Sequence, residues 1–276
     1  MNERGFYVIG ELGTNWSDVS QITYAARMIA KAGADALKLQ IGLDKLYSAE
    51  RDPDSYKKMQ AYKLSNLDVE RIARACRGES IDLWASVFDI EQLERCAKYL
   101  SGIKIASTDI AYDDMLRMAA RLSNRLGIPL MLSTGASTTE EVHHAIEMTG
   151  HARRLILMQC RAEYPTMPED ADIAWPLTLR YAVDDIGYSD HTKGDNLPAQ
   201  LAIAAGYTYF EKHVKITNNP NNPDDDIATS IRSFGRYIES LQRAKNICGA
   251  HKDLTCLEMK VKKYGRRGED GKRPGQ

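Results

Sequence analysis

Eight short apolar or β-branched runs recur along the chain, beginning near Phe6 (FYVIG), Ala36 (ALKLQ), Asp82 (DLWAS), Ile103 (IKIAS), Leu130 (LMLST), Leu155 (LILMQ), Asp185 (DIGYS) and Tyr209 (YFEKH). Runs of this length and composition read as buried strands. Helical patterns separate them. Ile22, Ala25, Ala26, Ile29 and Ala30 form one stripe that stops at Gly33, where glycine can take a left-handed cap. Ser137 stands three residues before Glu140 and Thr138 three before Glu141. Either pair makes a capping box for a helix running to about Met148. A last helix, from about Ser230, puts Ile231, Phe234, Ile238, Leu241, Ala244 and Cys248 on one face and ends at Gly249.

Eight strand-helix units in about 250 residues predict an α/β fold, a closed parallel (β/α)8 TIM barrel, because right-handed crossovers return each strand beside the last. The rival is a doubly wound sheet. That fold usually carries a glycine-rich phosphate fingerprint after its first strand, whereas GELGTNW follows Ile9 here. The catalytic barrel domain is expected to span 1–259. From 260 to 276, seven Lys or Arg stand against two acidic residues with no apolar stripe after Val261, so a basic, disordered tail is expected. The longest connection, Ile41 to Leu67, is charged and reads as an active-site loop.

Charge narrows the classes of function. The 37 Lys and Arg nearly cancel 38 Asp and Glu, for a net charge of −1. Such a chain has no global field for nucleic acid or anionic membrane, and neither is expected as a partner. No apolar stretch approaches the roughly 20 residues of a membrane span, and Met1 to Gly10 is too polar for a secretion signal. A soluble, cytoplasmic protein is expected. Cys76, Cys96, Cys160, Cys248 and Cys256 form no C-x-x-C pair, so reduced thiols are expected rather than disulfides or a zinc knuckle.

In such a barrel the reactive groups stand at the C-terminal ends of the strands. The polar residues at those ends are Glu11, Lys38, Gln40, Ser86, Lys104, Ser107, Asp109, Ser133, Thr134, Tyr164, Ser189, Asp190, His191, Glu211 and His213. Lys38 and Lys104 interrupt apolar strands, where an unpaired ammonium is costly. Each therefore needs an anion, either a bound phosphate or carboxylate or a protein carboxylate such as Glu11, Asp109 or Glu211. His191 and His213 follow two successive strands, which are neighbours in a closed barrel. Both imidazoles could reach one divalent cation, with oxygen ligands suited to Mn, Co or Zn and less to Mg.

At these residues the sequence resembles the N-acetylneuraminate (sialic acid) synthase family, over about Val8 to Ser230. The segments are IGELGTNW (9–16), AGADALKLQ (32–40), ASVFD (85–89), IKIASTD (103–109), LSTGAS (132–137), EYPT (163–166), GYSDHT (187–192), EKHV (211–214) and DIATS (226–230). The resemblance implies metal-dependent condensation of phosphoenolpyruvate with an N-acetylated amino-sugar aldehyde, N-acetylmannosamine or a related sugar. A nonulosonic acid and phosphate would be the products. It implies that His191 and His213 bind the divalent metal, Mn with Mg or Co as alternatives. It assigns Lys38, Ser86, Lys104, Ser107 and Ser189 to phosphoenolpyruvate; the strand ends themselves add the Ser133 hydroxyl and the backbone amides around Gly135 as donors suited to phosphate oxygens. Glu11 would hold or protonate the aldehyde, Asp109 would stand beside the metal, and Tyr164 would line the pocket. An Asp before DIATS would contact sugar hydroxyls. In PDDD (223–226) that is Asp224 by its distance from Pro223 or Asp226 by its distance from Ser230, and Asp226 is preferred.

Three departures qualify the resemblance. QCRAEYP replaces a His-Cys-Thr stretch followed by Asn or Ser, so Ala162 removes a hydrogen bond that Arg161 supplies only if it points inward. ASVF stands where a Thr-Pro pair is common, although Ser86 keeps a hydroxyl. Many relatives carry a small antifreeze-like C-terminal domain that gives an arginine to the partner subunit's sugar site, whereas the resemblance here covers the barrel alone and no such domain is expected. Family analogy is compatible with a homodimer. The competing readings are another metal-dependent aldolase-like barrel and a degenerate, non-catalytic barrel serving as a binding subunit.

Overall fold

Each apolar run forms a strand whose start lies within one residue of its expected position. The computed structural model describes residues 4–219, 222, 224–249 and 253–274. Among these are eight parallel strands: β1 (Tyr7–Gly13), β2 (Ala36–Ile41), β3 (Asp82–Val87), β4 (Gly102–Ile105), β5 (Leu130–Ser133), β6 (Leu155–Gln159), β7 (Asp185–Asp190) and β8 (Tyr209–Lys215). They pair in chain order, and β8 returns to pair with β1. The closed (β/α)8 barrel is therefore borne out, and closure leaves no open edge.

Around the barrel lie α1 (Val19–Lys31), α2 (Pro53–Met59), α3 (Asn66–Gly78), α4 (Ile90–Cys96), α5 (Asp113–Leu126), α6 (Thr139–Thr149), α7 (Leu197–Ala204), α8 (Phe234–Ile247) and α9 (Cys256–Gly265). Side-chain caps start several of them, including Asp18 on α1 and the Ser65–Asp68 box on α3. Of the two possible boxes ahead of α6, Thr138 with Glu141 is the one formed. Outward strand residues such as Val8, Leu37, Leu83, Leu132 and Phe210 pack against these helices in a continuous buried layer.

Some expectations are corrected. The β6–β7 connection contains 3-10 turns (Pro168–Asp170 and Trp175–Leu179) where the pattern of eight strand-helix units called for an α-helix. The final barrel helix starts at Phe234, not near Ser230, because Thr229–Ser230 forms β9 against Val214 and Lys215 of β8. The tail boundary at 259/260 falls inside α9, which Thr255 and Glu258 start with a capping box. None of its side chains is buried, so this turn of regular structure stands on local capping rather than on core packing. The Ile41 to Leu67 connection holds α2 and two 3-10 turns.

The inside of the barrel is layered. Alternate residues face the axis, and Ile9, Ala36, Trp84, Met131, Ile156, Met158 and Tyr209 form a separate buried cluster there. Two inward glycines make room for the large members. A Cβ on Gly102 would overlap the Trp84 ring, and one on Gly187 would meet Met158 Sδ and Tyr209 Cβ. The apolar cluster thus forms a floor. The next inward residues toward the C-terminal ends are Glu11, Lys38, Lys104, Ser133, Ser189 and Glu211, all buried.

Candidate active site

Register decides which charges meet. Glu11 of β1 stands level with Lys38 of β2 on one side and His213 of β8 on the other. Ser86 is level with Lys104, and Ser189 with Glu211. All point inward above the apolar floor.

Four of these charges form one buried network. Lys38 Nζ is ion-paired with Glu11 Oε1 and lies 3.5 Å from Glu211 Oε1. Lys104 Nζ reaches Glu211 Oε1 at 2.8 Å, and Ser189 Oγ donates to the same oxygen at 2.9 Å. Gln40 Nε2 donates to Glu11 Oε1 at 3.3 Å. Burial alone would raise the Glu11 pKa, but the Lys38 ammonium, followed by His213 and Lys104, holds it well below the usual carboxylate range. Burial would lower the pKa of Lys104, yet Glu211 and Glu11 outweigh it and hold the ammonium above the usual lysine range. Glu11 and Lys104 are therefore both held in their charged forms.

The two imidazoles lie beside this network. Their ring centroids are 5.5 Å apart, and Tyr164 stacks on His191 at 4.5 Å and makes a T-shaped contact with His213 at 6.2 Å. Burial, reinforced by His213, depresses the His191 pKa to about 3, so the ring is neutral at ordinary pH. His191 Nδ1 donates to the Arg161 carbonyl at 2.6 Å, which leaves a lone pair on Nε2. His213 Nε2 lies 3.4 Å from Glu11 Oε2, and its buried Nδ1 has no hydrogen-bond partner among the described residues.

A neutral, oriented imidazole, a second imidazole and an adjacent carboxylate are donors that fit a divalent ion. Among the described residues, no three His, Cys, Asp or Glu side chains form a ready-made cage for one. The donor set fits an ion gripped by two imidazoles, with its other positions left to substrate or water.

These groups border a cavity of about 330 Å³ at the C-terminal end of the barrel. Glu11, Lys38, Ser86, Lys104, Ser107, Tyr164, His191 and His213 all line it, so eight of the expected site residues converge. Ser189 lies one step deeper, bonded to Glu211 and 3.4 Å from His191 Nε2. Leu43 and Leu46 carry the long connection after β2 to the cavity wall, as expected of an active-site loop.

Four expectations fare differently. Asp226 is 58% exposed and ion-paired with Lys193, outside the cavity. Asp224 takes the place next to the site: it is buried, and its Oδ2 accepts from Thr14 N at 3.0 Å and lies 4.0 Å from His213 Nδ1. Asp109 stands just beyond the wall, in contact with Thr108 Oγ1 at 3.4 Å, and burial pushes its pKa up to about 6. Ser133 is buried at the end of β5 but contributes nothing to the wall, and its hydroxyl has no partner among the described residues. Arg161 points away, donating to the Asp170 carbonyl and pairing with Asp172, so it does not replace the group lost at Ala162. Pro223, from which the position of Asp224 was counted, lies outside the described residues.

Residues that sequence reasoning passed over support Asp224. Thr14 Oγ1 lies 2.8 Å from Asp224 Oδ2 and 2.6 Å from Asn222 Oδ1, which also accepts from Asp224 N at 3.0 Å. A Cβ on Gly13 would come within 2.5 Å of the Asp224 carboxylate, and its φ of +52° favours glycine. That turn at the end of β1 was the available signal. Cys160, also unassigned, lies 3.2 Å from Ser107 Oγ in the cavity wall.

The model of the NeuB family matches residues 25–253. The chain belongs to the NeuB family. It is 24% identical over 283 residues to the pseudaminic acid synthase of Campylobacter jejuni, covering 96% of this chain and 81% of that relative. It is 26% identical over 269 residues to the N,N'-diacetyllegionaminic acid synthase of Legionella pneumophila, covering 88% and 73%. The N-acetylneuraminic acid (sialic acid) synthetase of Leptospira borgpetersenii superposes with a TM-score of 0.82 at 24% identity, over 92% of this chain and 89% of that one. The family resemblance of the motifs is thereby borne out. No helix among the described residues is long and apolar enough to cross a membrane.

Proposed function

We propose that this NeuB-family barrel condenses phosphoenolpyruvate with the open-chain aldehyde of an N-acetylated amino sugar, N-acetylmannosamine or a related sugar, releasing phosphate and a nonulosonic acid. The observation that carries this reading is the convergence of Lys38, Lys104, His191 and His213 on one cavity beside two carboxylates. Two ammonium groups and the hydroxyls of Ser86, Ser107 and Ser189 suit the phosphate and carboxylate of a small trianionic donor. The imidazoles would hold a divalent ion, Mn with Co or Mg as alternatives, which when bound polarises the aldehyde oxygen.

The chain's own residues then position the reactants. Lys38 and Lys104 hold the enol so that its C3 faces the aldehyde carbon, an arrangement that removes most of the entropic barrier to a bimolecular step. Glu11 enters as a carboxylate, paired with Lys38, and accepts a hydrogen bond from the sugar rather than delivering a proton. Asp224, fixed by Thr14 and Asn222, accepts from the sugar hydroxyls. As C3 bonds to the aldehyde carbon, positive charge develops at C2 and water adds there. Phosphate then leaves with its bridging oxygen by C–O cleavage. Lysine and hydroxyl donors set in place before reaction stabilise that tetrahedral species without reorganising solvent.

The decisive experiment incubates the chain with phosphoenolpyruvate, Mn and a panel of acetamido sugars, followed by mass analysis of the products. Sugar-dependent phosphate release with a product three carbons longer supports the reading. Phosphate release that ignores the sugar, or none with any sugar, removes it.

A further inference from the structure

A second polar recess opens on the other side of β8. It encloses about 530 Å³ between the connection after β7, the connection after β8 and the start of α8, and shares no lining residue with the cavity described above. Lys193, Lys212, Lys215 and Arg236 reach it, with Asp226 as the single carboxylate in its described lining.

The cations differ in how far they are already satisfied. Lys212, buried and facing away from the barrel axis, bonds the Thr192 carbonyl at 2.5 Å and Asp190 Oδ1 at 3.1 Å. An ammonium has three protons, so a third is left beyond these two bonds, on a nitrogen 6.0 Å from the centre of the Tyr237 ring. Lys215 bonds Asp225 at 2.8 Å. Among the described residues, Lys193 is paired with the exposed Asp226, an exchangeable kind of pair. Arg236 is exposed and, among the described residues, bonds Ser233 Oγ at 2.8 Å and no carboxylate.

The neighbouring backbone adds donors. Ser233 precedes the fourteen-residue helix α8, and its side chain makes no capping hydrogen bond; the Arg236 amide bonds the Ser233 carbonyl at 3.0 Å, and among the described residues the amides of Phe234 and Gly235 have no side-chain acceptor. Connections after the seventh and eighth strands, together with a helix N-terminus, are where barrels of this type commonly hold phosphate. Position, cations and amides agree.

We propose that this recess is a second anion site, taking a phosphate dianion either free or as the end of a phosphate monoester. Lys193 and Arg236 grip it from the rim, Lys212 donates from the floor, and the start of α8 supplies backbone donors. Asp226 is the competing anion: phosphate takes Lys193 from it.

The test is calorimetric titration of the full chain at fixed ionic strength with inorganic phosphate and, in a parallel arm, glycerol phosphate. Both rim cations are exposed, so Lys193→Ala with Arg236→Ala preserves the fold, which thermal melting verifies. The double variant should bind at least about tenfold more weakly than the parent chain. Asp226→Asn should bind several-fold more tightly, the opposite sign, because it removes the competitor. Binding of glycerol phosphate identifies a monoester site, and binding of inorganic phosphate alone identifies a site for the free ion. An unchanged isotherm in the double variant, or no saturable binding up to about 10 mM of either probe, overturns the proposal.

Discussion

Lys104 and Glu211 meet at 2.8 Å inside the barrel, and the carboxylate that neutralises Lys104 also faces Lys38 at 3.5 Å. One acidic group therefore balances parts of two ammonium charges. Glu211→Gln should leave them repelling in a water-poor site and lower stability by about 3–5 kcal/mol, the usual cost of breaking a buried pair from one side. Urea unfolding measures this, and an unchanged midpoint would contradict the role given to Glu211.

The two imidazoles provide a separate check. His191→Ala and His213→Ala should each weaken Mn binding by about tenfold or more, read by calorimetry without substrate. Chelation should abolish sugar-dependent phosphate release, and added Mn or Co should restore it. Full turnover in a chelated, metal-free preparation would remove the ion from the proposed reaction.

Asp224 and Asp226 differ by two positions and in almost everything else. Asp224→Ala should reduce turnover or raise the sugar KM by about tenfold or more, because a buried hydrogen-bond acceptor is lost. Asp226→Ala should leave both within about twofold, since its partner is the rim residue Lys193. The reverse ranking would restore the sequence-based choice of Asp226.

Asp109 sets a pH dependence. Burial raises its pKa from 3.8 to about 6, so the folded state binds its proton more tightly than the unfolded state does. That contribution is complete below about pH 4 and is lost as pH rises through 6. Asp109→Asn should therefore gain stability relative to the parent chain above pH 6, on the order of 1 kcal/mol once solvent screening of this half-buried group is allowed for. Below pH 4 the two proteins should be level. Melting temperatures across pH 4 to 8 decide it.

Packing at the floor predicts a compensated pair. Gly102→Ala drives a methyl group into the Trp84 ring and should cost about 1–3 kcal/mol. Trp84→Leu removes the ring and should cost stability alone, but the two changes together should cost less than their sum. Strict additivity in unfolding experiments would mean that the ring moves aside freely.

The strands were legible because a parallel barrel buries both faces, leaving near-continuous apolar runs. Lys38, Lys104, Glu11 and Glu211 were legible as charges in those runs, and the closed order of strands brings them together. Regions governed by loop path were harder to read. Asp224 and Asp226 sit in one acidic run, and only the turn at Gly13 and the Thr14–Asn222 bonds select between them. Asp109 follows the right strand yet stands outside the wall, because a residue beyond a strand end does not reveal which way the chain turns. The Thr255–Glu258 box was readable in principle. Charge density in the following residues masked it.

The greasy floor formed by Trp84, Met131, Met158 and Tyr209 closes the barrel at one end. In the proposed reaction, traffic would then be restricted to a single doorway, so each departing product would back out along the route by which the next reactants come in. A slow-leaving acid or phosphate would stall the cycle from inside.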